Sequence, residues 1–219
     1  MAKKNIYLIA GHGEDDTAYF LEGLKESGLA HPKVAYIGTA NHNNPMAISR
    51  TSQALMHFGA EKVSLVPVPE DETEAEKILR ECDVVFITGG EVEDGMMGLS
   101  ENIRRILWEL YEDGKVFIGI SAGTIMMGLA WPHWDDEDHD FENARLFSCL
   151  GFVPTIFDTH CEDEGWPELI KAVSLCEDGF VGYGIPAGGM VIASPDGQLT
   201  STKPLDGYRN HSGKAVPVE

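Results

Sequence analysis

The sequence predicts an α/β fold, a three-layer sandwich built on a mostly parallel, doubly wound sheet. Two observations predict it. Five short runs rich in Val and Ile, "NIYLIAG", "KVAYIGTA", "KVSLVPV", "DVVFITGG" and "KVFIGI", are apolar on both faces, as strands covered by helices on each side must be. Strand-like and helix-like segments also alternate through five β-α units in a row, the order of a doubly wound open sheet.

The first strand ends at Gly11, and an amphipathic helix follows from Thr17 to Ser27. "NPMAISRTSQALMHFG" is the helix after the second strand, closed by Gly59. "ETEAEKILREC" follows the third strand, and "LSENIRRILWELYEDG" follows the fourth and ends at Gly114. The fifth strand delivers Ser121. Beyond Gly128 the pattern is less regular. "WPHWDDEDHDFENARLF" reads as an acidic loop holding at most a short helix, "FVPTIFDTH" as a strand and "GWPELIKAVSLCED" as a helix. "GFVGYGIP" and "GGMVIASPDGQL" read as a strand pair, with a hairpin turn at Pro195-Asp196-Gly197. Residues 1–219 are expected to form one domain, with about 203–219 a loosely held tail.

The chain carries 36 acidic and 16 basic residues, a formal charge of −20. That balance disfavours nucleic acid and anionic membranes, which need clustered Lys and Arg. It suits a cationic substrate, and solubility alone also explains it. No apolar run approaches the roughly 18 residues of a membrane span. The charged and glycine-rich residues after "NIYLIA" mark a strand rather than a signal peptide, so a cytoplasmic location is expected. Cys82, Cys149, Cys161 and Cys176 are far apart with no CxxC spacing and read as reduced thiols.

Ligands on doubly wound sheets bind beyond the carboxyl ends of the strands. Gly11-His12-Gly13, Thr39 to Asn44, Gly89-Gly90 and Ser121 all fall there. Gly119-Ile120-Ser121-Ala122-Gly123 is a GxSxG pattern between a strand and a helix, that of a nucleophile on a sharp turn. The helix after it directs its free amides and dipole at charge developing on a substrate oxygen. Gly89-Gly90 leaves the fourth strand where it can present an unobstructed amide, so the Gly90 and Ala122 amides are the oxyanion-hole candidates. Gly11-His12-Gly13 is followed by acids that would repel phosphate. The acidic runs at 135–140 and 160–164 match no metal-site spacing, so neither metal nor cofactor is expected.

The order "VVFITGG", "GKVFIGISAGTIM", "FDTHCEDEG" and "GYGIPAGGMV" resembles the dipeptidase E and cyanophycinase family of serine peptidases, from the first strand to about Gly197. The resemblance implies a flavodoxin-like or class I glutamine amidotransferase-like sandwich with serine at the nucleophile position. It implies Ser121 as nucleophile, His160 as general base, and Gly90 and Ala122 at the oxyanion hole. The chemistry is sound, because a serine hydroxyl needs a neighbouring imidazole to take its proton.

For the acid that orients the base, relatives offer a position about fifteen residues after the serine, where Asp136 ranks first and Asp135 second. Asp158, two residues before His160, ranks third. Relatives also offer a glutamate in the segment matching "GYGIPAGG", where this chain has Ala187. Relatives that cleave after aspartate carry arginines after the histidine. Here the stretch is "HCEDEGWPEL", so a bidentate clamp on a carboxylate cannot form. Asp-X dipeptides are therefore disfavoured, and a cationic or neutral substrate is favoured. Gly89, Glu91, Asp158, Glu162 and Trp166 are candidates for the substrate loop, with Trp131 to Trp134 near the serine. The expected activity is hydrolysis of a small peptide or amide through an acyl-enzyme on Ser121, and a homodimer is compatible with it. The alternative is a catalytically impaired relative that binds a small ligand or partner in the same crevice.

Overall fold

The computed structural model describes residues 2–13, 16–134 and 143–218. The five expected strands are β1 (Ile6–Ile9), β2 (Lys33–Ile37), β3 (Lys62–Leu65), β4 (Val84–Ile87) and β5 (Val116–Ile120). They pair in parallel in the order β1-β5-β4-β2-β3. Two later strands extend the β1 edge, β10 (Met190–Ala193) antiparallel to β1 and β11 (Leu199–Ser201) antiparallel to β10, joined by the turn at 195–197.

Alternation along the strands divides the core. Tyr7, Ile9, Tyr36, Phe86 and Ile118 face α1 (Asp16–Glu26) and α2 (Pro45–His57). Leu8, Ile37, Val85, Ile87 and Phe117 face α3 (Glu72–Glu81), α5 (Glu101–Glu112) and α6 (Ala122–Met127). Both faces being covered is why these strands read as unbroken apolar runs. Local chemistry sets the helix starts. Asn44, Asp71 and Ser100 each accept backbone amides of the first turn, and Pro45 supplies a preset φ at α2. A six-residue helix that the sequence did not announce, α4 (Val92–Met97), follows Gly90.

After α6 the chain leaves the main sheet. The acidic stretch expected as a loop contributes an antiparallel hairpin, β6 (Ala130–His133) with β7 (Arg145–Ser148), and its central residues fall outside those described. Then β8 (Ile156–Thr159), α7 (Pro167–Ser174) and β9 (Val181–Ile185) lead to a second sheet, completed by β12 (Asp206–His211) and β13 (Lys214–Pro217) in the order β13-β12-β9-β8. Two expectations change here. The segments 179–186 and 188–199 do not pair with each other, because β9 lies in the second sheet and β10 in the first. The reason is packing. Gly182 and Gly184 give β9 a bare face on which Val173, Leu169 and the Trp166 ring lie. Met190 and Val191 instead point into the two opposite cores that only the main sheet provides.

The segment expected as a loose tail forms β12 (Asp206–His211), antiparallel to β9, and β13 (Lys214–Pro217), antiparallel to β12. It is held by buried Asn210, whose amide donates to the Cys176 and Glu177 carbonyls, and by Asp206 accepting from Trp166 Nε1. No helix among the described residues is long and apolar enough to cross a membrane.

Candidate active site

At the end of β5 the chain reverses into α6 with almost no room. A side chain at Gly119 would lie 2.7 Å from the Gly123 carbonyl oxygen, and one at Gly123 only 2.1 Å from the Ile87 carbonyl oxygen. The two glycines let α6 fold back onto β5 and rest on β4. Between them Ser121 has φ 53° and ψ −123°, a region an L-residue occupies only under strain. The strain is over-determined by the surroundings. The Ser121 amide donates to the Ile9 carbonyl at 2.9 Å, its own carbonyl accepts from Thr124 and Ile125, and the buried Thr124 hydroxyl also donates to Ile9. The outcome is a hydroxyl held clear of the backbone at the sheet's carboxyl edge.

The partner comes from the second sheet. His160 follows β8, again with a left-handed φ of 46°, and its amide donates to the Ile185 carbonyl of β9. Ser121 Oγ and His160 Nε2 are 2.9 Å apart. The Gly11–Gly13 loop after β1 closes the third side. A Cβ at Gly11 would sit 3.7 Å from the Ser121 Cβ, and the His12 ring lies 4.2 Å from the His160 ring at 38°. Burial first, and then the adjacent His12, holds the His160 imidazole below the ordinary histidine value, against its own backbone, Glu162 and Asp16. A neutral imidazole at pH 7 can accept the serine proton.

The loop after β4 approaches from the side of α4. Gly90 has φ 143°, and any side chain there would strike the Ala40 carbonyl oxygen at 1.9 Å, to which the Glu91 amide donates at 2.7 Å. Gly89 abuts the nucleophile, its missing Cβ 2.9 Å from that of Ser121. Among the described residues no acceptor takes the amide of Gly90 or of Ala122. Both residues line the same cavity as Ser121 and His160, about 460 Å³ in volume.

The far wall of that cavity is acidic. Asp158, Cys161, Glu164 and Glu168 line it, with Glu91 and Glu93 on the side of α4 and Trp131, His133 and Trp134 on the β6 arm. Glu93 pairs with His133 Nδ1 at 2.9 Å. Asp158 is only 4% exposed; its Oδ1 accepts from the Thr159 amide at 2.7 Å, and its Oδ2 has no hydrogen-bond partner. Burial, aided by the Glu168 and Glu164 carboxylates and opposed by the Thr159 and Leu169 amides, pushes Asp158 up to about 7. Burial and the Asp158, Glu168, Glu164 and Glu162 carboxylates push the Cys161 thiol up to about 12, which leaves it protonated and a poor nucleophile. One donor atom each from Asp158, Cys161 and Glu168 lie within 4.8 Å of one another, the one set among the described residues able to share a cation.

The remaining sequence candidates separate. Asp135 and Asp136 lie outside the described residues. Glu162 is not among the residues that line the cavity, and its carboxylate accepts the Ala187 amide at 2.9 Å. Trp166 is a core residue, 2% exposed and packed on Gly184, because its indole covers the bare face of β9. The sequence reading noted the stretches that hold His12, Cys161, Glu164 and Glu168 but gave none of the four a place in the site. A faint signal existed: Asp158, Cys161, Glu164 and Glu168 are spaced by three, three and four residues, which gathers them on one side of a turn and the helix after it.

No curated protein matches the chain. A peptidase from an acI-B1 Actinobacterium shares the fold at 11% identity and a TM-score of 0.74, over 99% of this chain and 94% of that one. A candidate peptidase E protein from Listeria monocytogenes EGD-e does so at 20% identity and a TM-score of 0.69, over 93% of this chain and 100% of that one. At these identities the likeness is one of fold. Residues 7–202 match the model of Peptidase family S51, and the chain, with its strained serine at the end of β5, belongs to that family of dipeptidase E and cyanophycinase.

Proposed function

We propose that the protein is a serine hydrolase that cleaves a small peptide or amide through an acyl-enzyme on Ser121. The observation that carries this reading is the 2.9 Å approach of Ser121 Oγ to His160 Nε2 at a strained strand-to-helix turn. As Oγ bonds to the substrate carbonyl carbon, His160 takes its proton, and negative charge develops on the carbonyl oxygen. The Gly90 and Ala122 amides are the donors for that charge. His160 then passes the proton to the leaving amine as the C–N bond breaks. A water attacks the ester in the second half, with His160 again the base and Oγ the leaving group. Asp136, and after it Asp135, is proposed to orient His160. Asp158 stays behind them, since its Oδ1 is taken by the Thr159 amide and its Oδ2 is buried without a hydrogen-bond partner.

A cavity of about 460 Å³ suits a small ligand rather than a protein chain. Among the described residues five carboxylates line it, those of Glu91, Glu93, Asp158, Glu164 and Glu168, and no Lys or Arg does. Asp-X dipeptides are therefore disfavoured, because a substrate carboxylate would meet like charge with no guanidinium to pair with.

The test is intact mass after incubation with a neutral fluorophosphonate. One adduct is expected on wild type, and none on Ser121→Ala or His160→Ala. No adduct on wild type would sink the hydrolase reading and leave a ligand-binding relative, for which Ala187 in place of the family glutamate is the supporting feature.

A further inference from the structure

The acidic wall is a structured recess rather than a solvated loop. Asp158 is held by β8 and the Thr159 amide, is almost wholly buried, keeps its Oδ2 without a hydrogen-bond partner, and is among the residues that line the cavity. Glu168 reaches the same point from the first turn of α7, and Cys161 from the turn between them. Carboxylates crowded together without a counter-charge repel one another, and a protein keeps such a cluster at a net energetic loss unless a cation completes it. Among the described cavity residues no Lys or Arg supplies one.

A donor spacing of up to 4.8 Å is one that a single ammonium can bridge, since a nitrogen roughly 2.8 Å from each of two acceptors along tetrahedral directions separates them by about 4.6 Å. The recess shares its cavity with Ser121 and His160. A group bound there therefore belongs to the same small molecule as the scissile bond.

We infer that Asp158 and Glu168 form a subsite for a positively charged group, an ammonium or guanidinium, carried by the substrate close to the bond that Ser121 attacks. The inference deepens the hydrolase reading above and rests on it for the meaning of "substrate". The charge can come from a side chain or from a free α-amino group. Both sources offer the same N–H donors to the same two carboxylates.

Binding is measured by calorimetry in EDTA, with four amides as probes. N-acetyl-lysine amide carries only the side-chain charge, norleucine amide only the α-ammonium, lysine amide both, and N-acetyl-norleucine amide neither. At least one singly charged probe is expected to bind wild type about tenfold or more tightly than the uncharged one, and which of the two does so identifies the source. That ratio is expected to fall below about threefold in Glu168→Gln and in Asp158→Asn. It is expected to survive in Glu101→Gln, an exposed acid on α5 that controls for net charge. Charged and uncharged probes binding wild type equally, no probe binding at all, or an undiminished ratio in both subsite variants would each overturn the inference. The fluorophosphonate adduct is read on the same samples. An adduct without charge preference removes the subsite and keeps the serine hydrolase, and charge preference without an adduct does the reverse.

Discussion

Ser121 and Asp158 are both held in states their residue types disfavour, one in its backbone and one in its charge. A serine at φ 53° and ψ −123° occupies ground that glycine occupies freely, at a strain of about 1 kcal/mol or more. Ser121→Gly should therefore abolish fluorophosphonate labelling while raising stability by roughly 1 kcal/mol in urea melts, and Ser121→Ala should abolish labelling without that gain. A Ser121→Gly variant less stable than Ser121→Ala would show that the turn is not strained. For Asp158 the sign follows from proton counting. The unfolded carboxyl loses its proton near 3.8 and the folded one near 7, so between those values the folded state holds the extra proton. Stability then falls as pH rises through that window, and the penalty is complete above it. Asp158→Asn keeps an oxygen for the Thr159 amide and removes the charge. It should raise the melting temperature by several degrees at pH 8 and by much less at pH 4, and equal shifts at both would rule out burial of the charge as the cause.

At the scale of elements, the contacts of α6 with β5 and β4 set the site, and the missing side chains of Gly119 and Gly123 make them. Gly123→Ala would drive a Cβ to within 2.1 Å of the Ile87 carbonyl oxygen, a backbone atom that cannot swing aside. A loss of about 2–3 kcal/mol in denaturant melts is expected, together with loss of labelling. A variant of wild-type stability would mean that α6 has slack. The same elements show what the sequence could disclose. The five parallel strands and their helices were legible because each strand is apolar on both faces and each helix carries its own cap or amphipathic stripe. The second sheet was not. The partners of β9, which are β8 and β12, lie far along the chain, and β12 and β13, though joined as a hairpin at Ser212-Gly213, are short and largely polar, so neither the split of β9 from β10 nor the ordering of residues 206–217 shows as an apolar run. The nucleophile was legible for the opposite reason, since the crowding that defines the turn lies within five consecutive residues, 119–123.

Across the whole molecule, the acidic composition acquires a location. The −20 charge read from the chain says nothing about where repulsion matters, yet five carboxylates among the described residues converge on one cavity beside Ser121. His12, packed against His160 from the other end of the sequence, is of the same kind. A lone histidine between two glycines has no signature until β1 and β8 are brought together. The nucleophile stands on the main sheet and its base on the second, and they meet because β8 runs beside α6, where the Leu129 amide donates to the Thr155 carbonyl at 2.8 Å. The Ser121–His160 separation is thus a gauge of how two independently hydrogen-bonded sheets are seated. Mild denaturant that lets one sheet slip by an ångström should silence the serine while circular dichroism still reports intact helices, so that labelling is lost at a lower urea concentration than ellipticity. Coincident transitions would mean that the two sheets come apart only when both unfold.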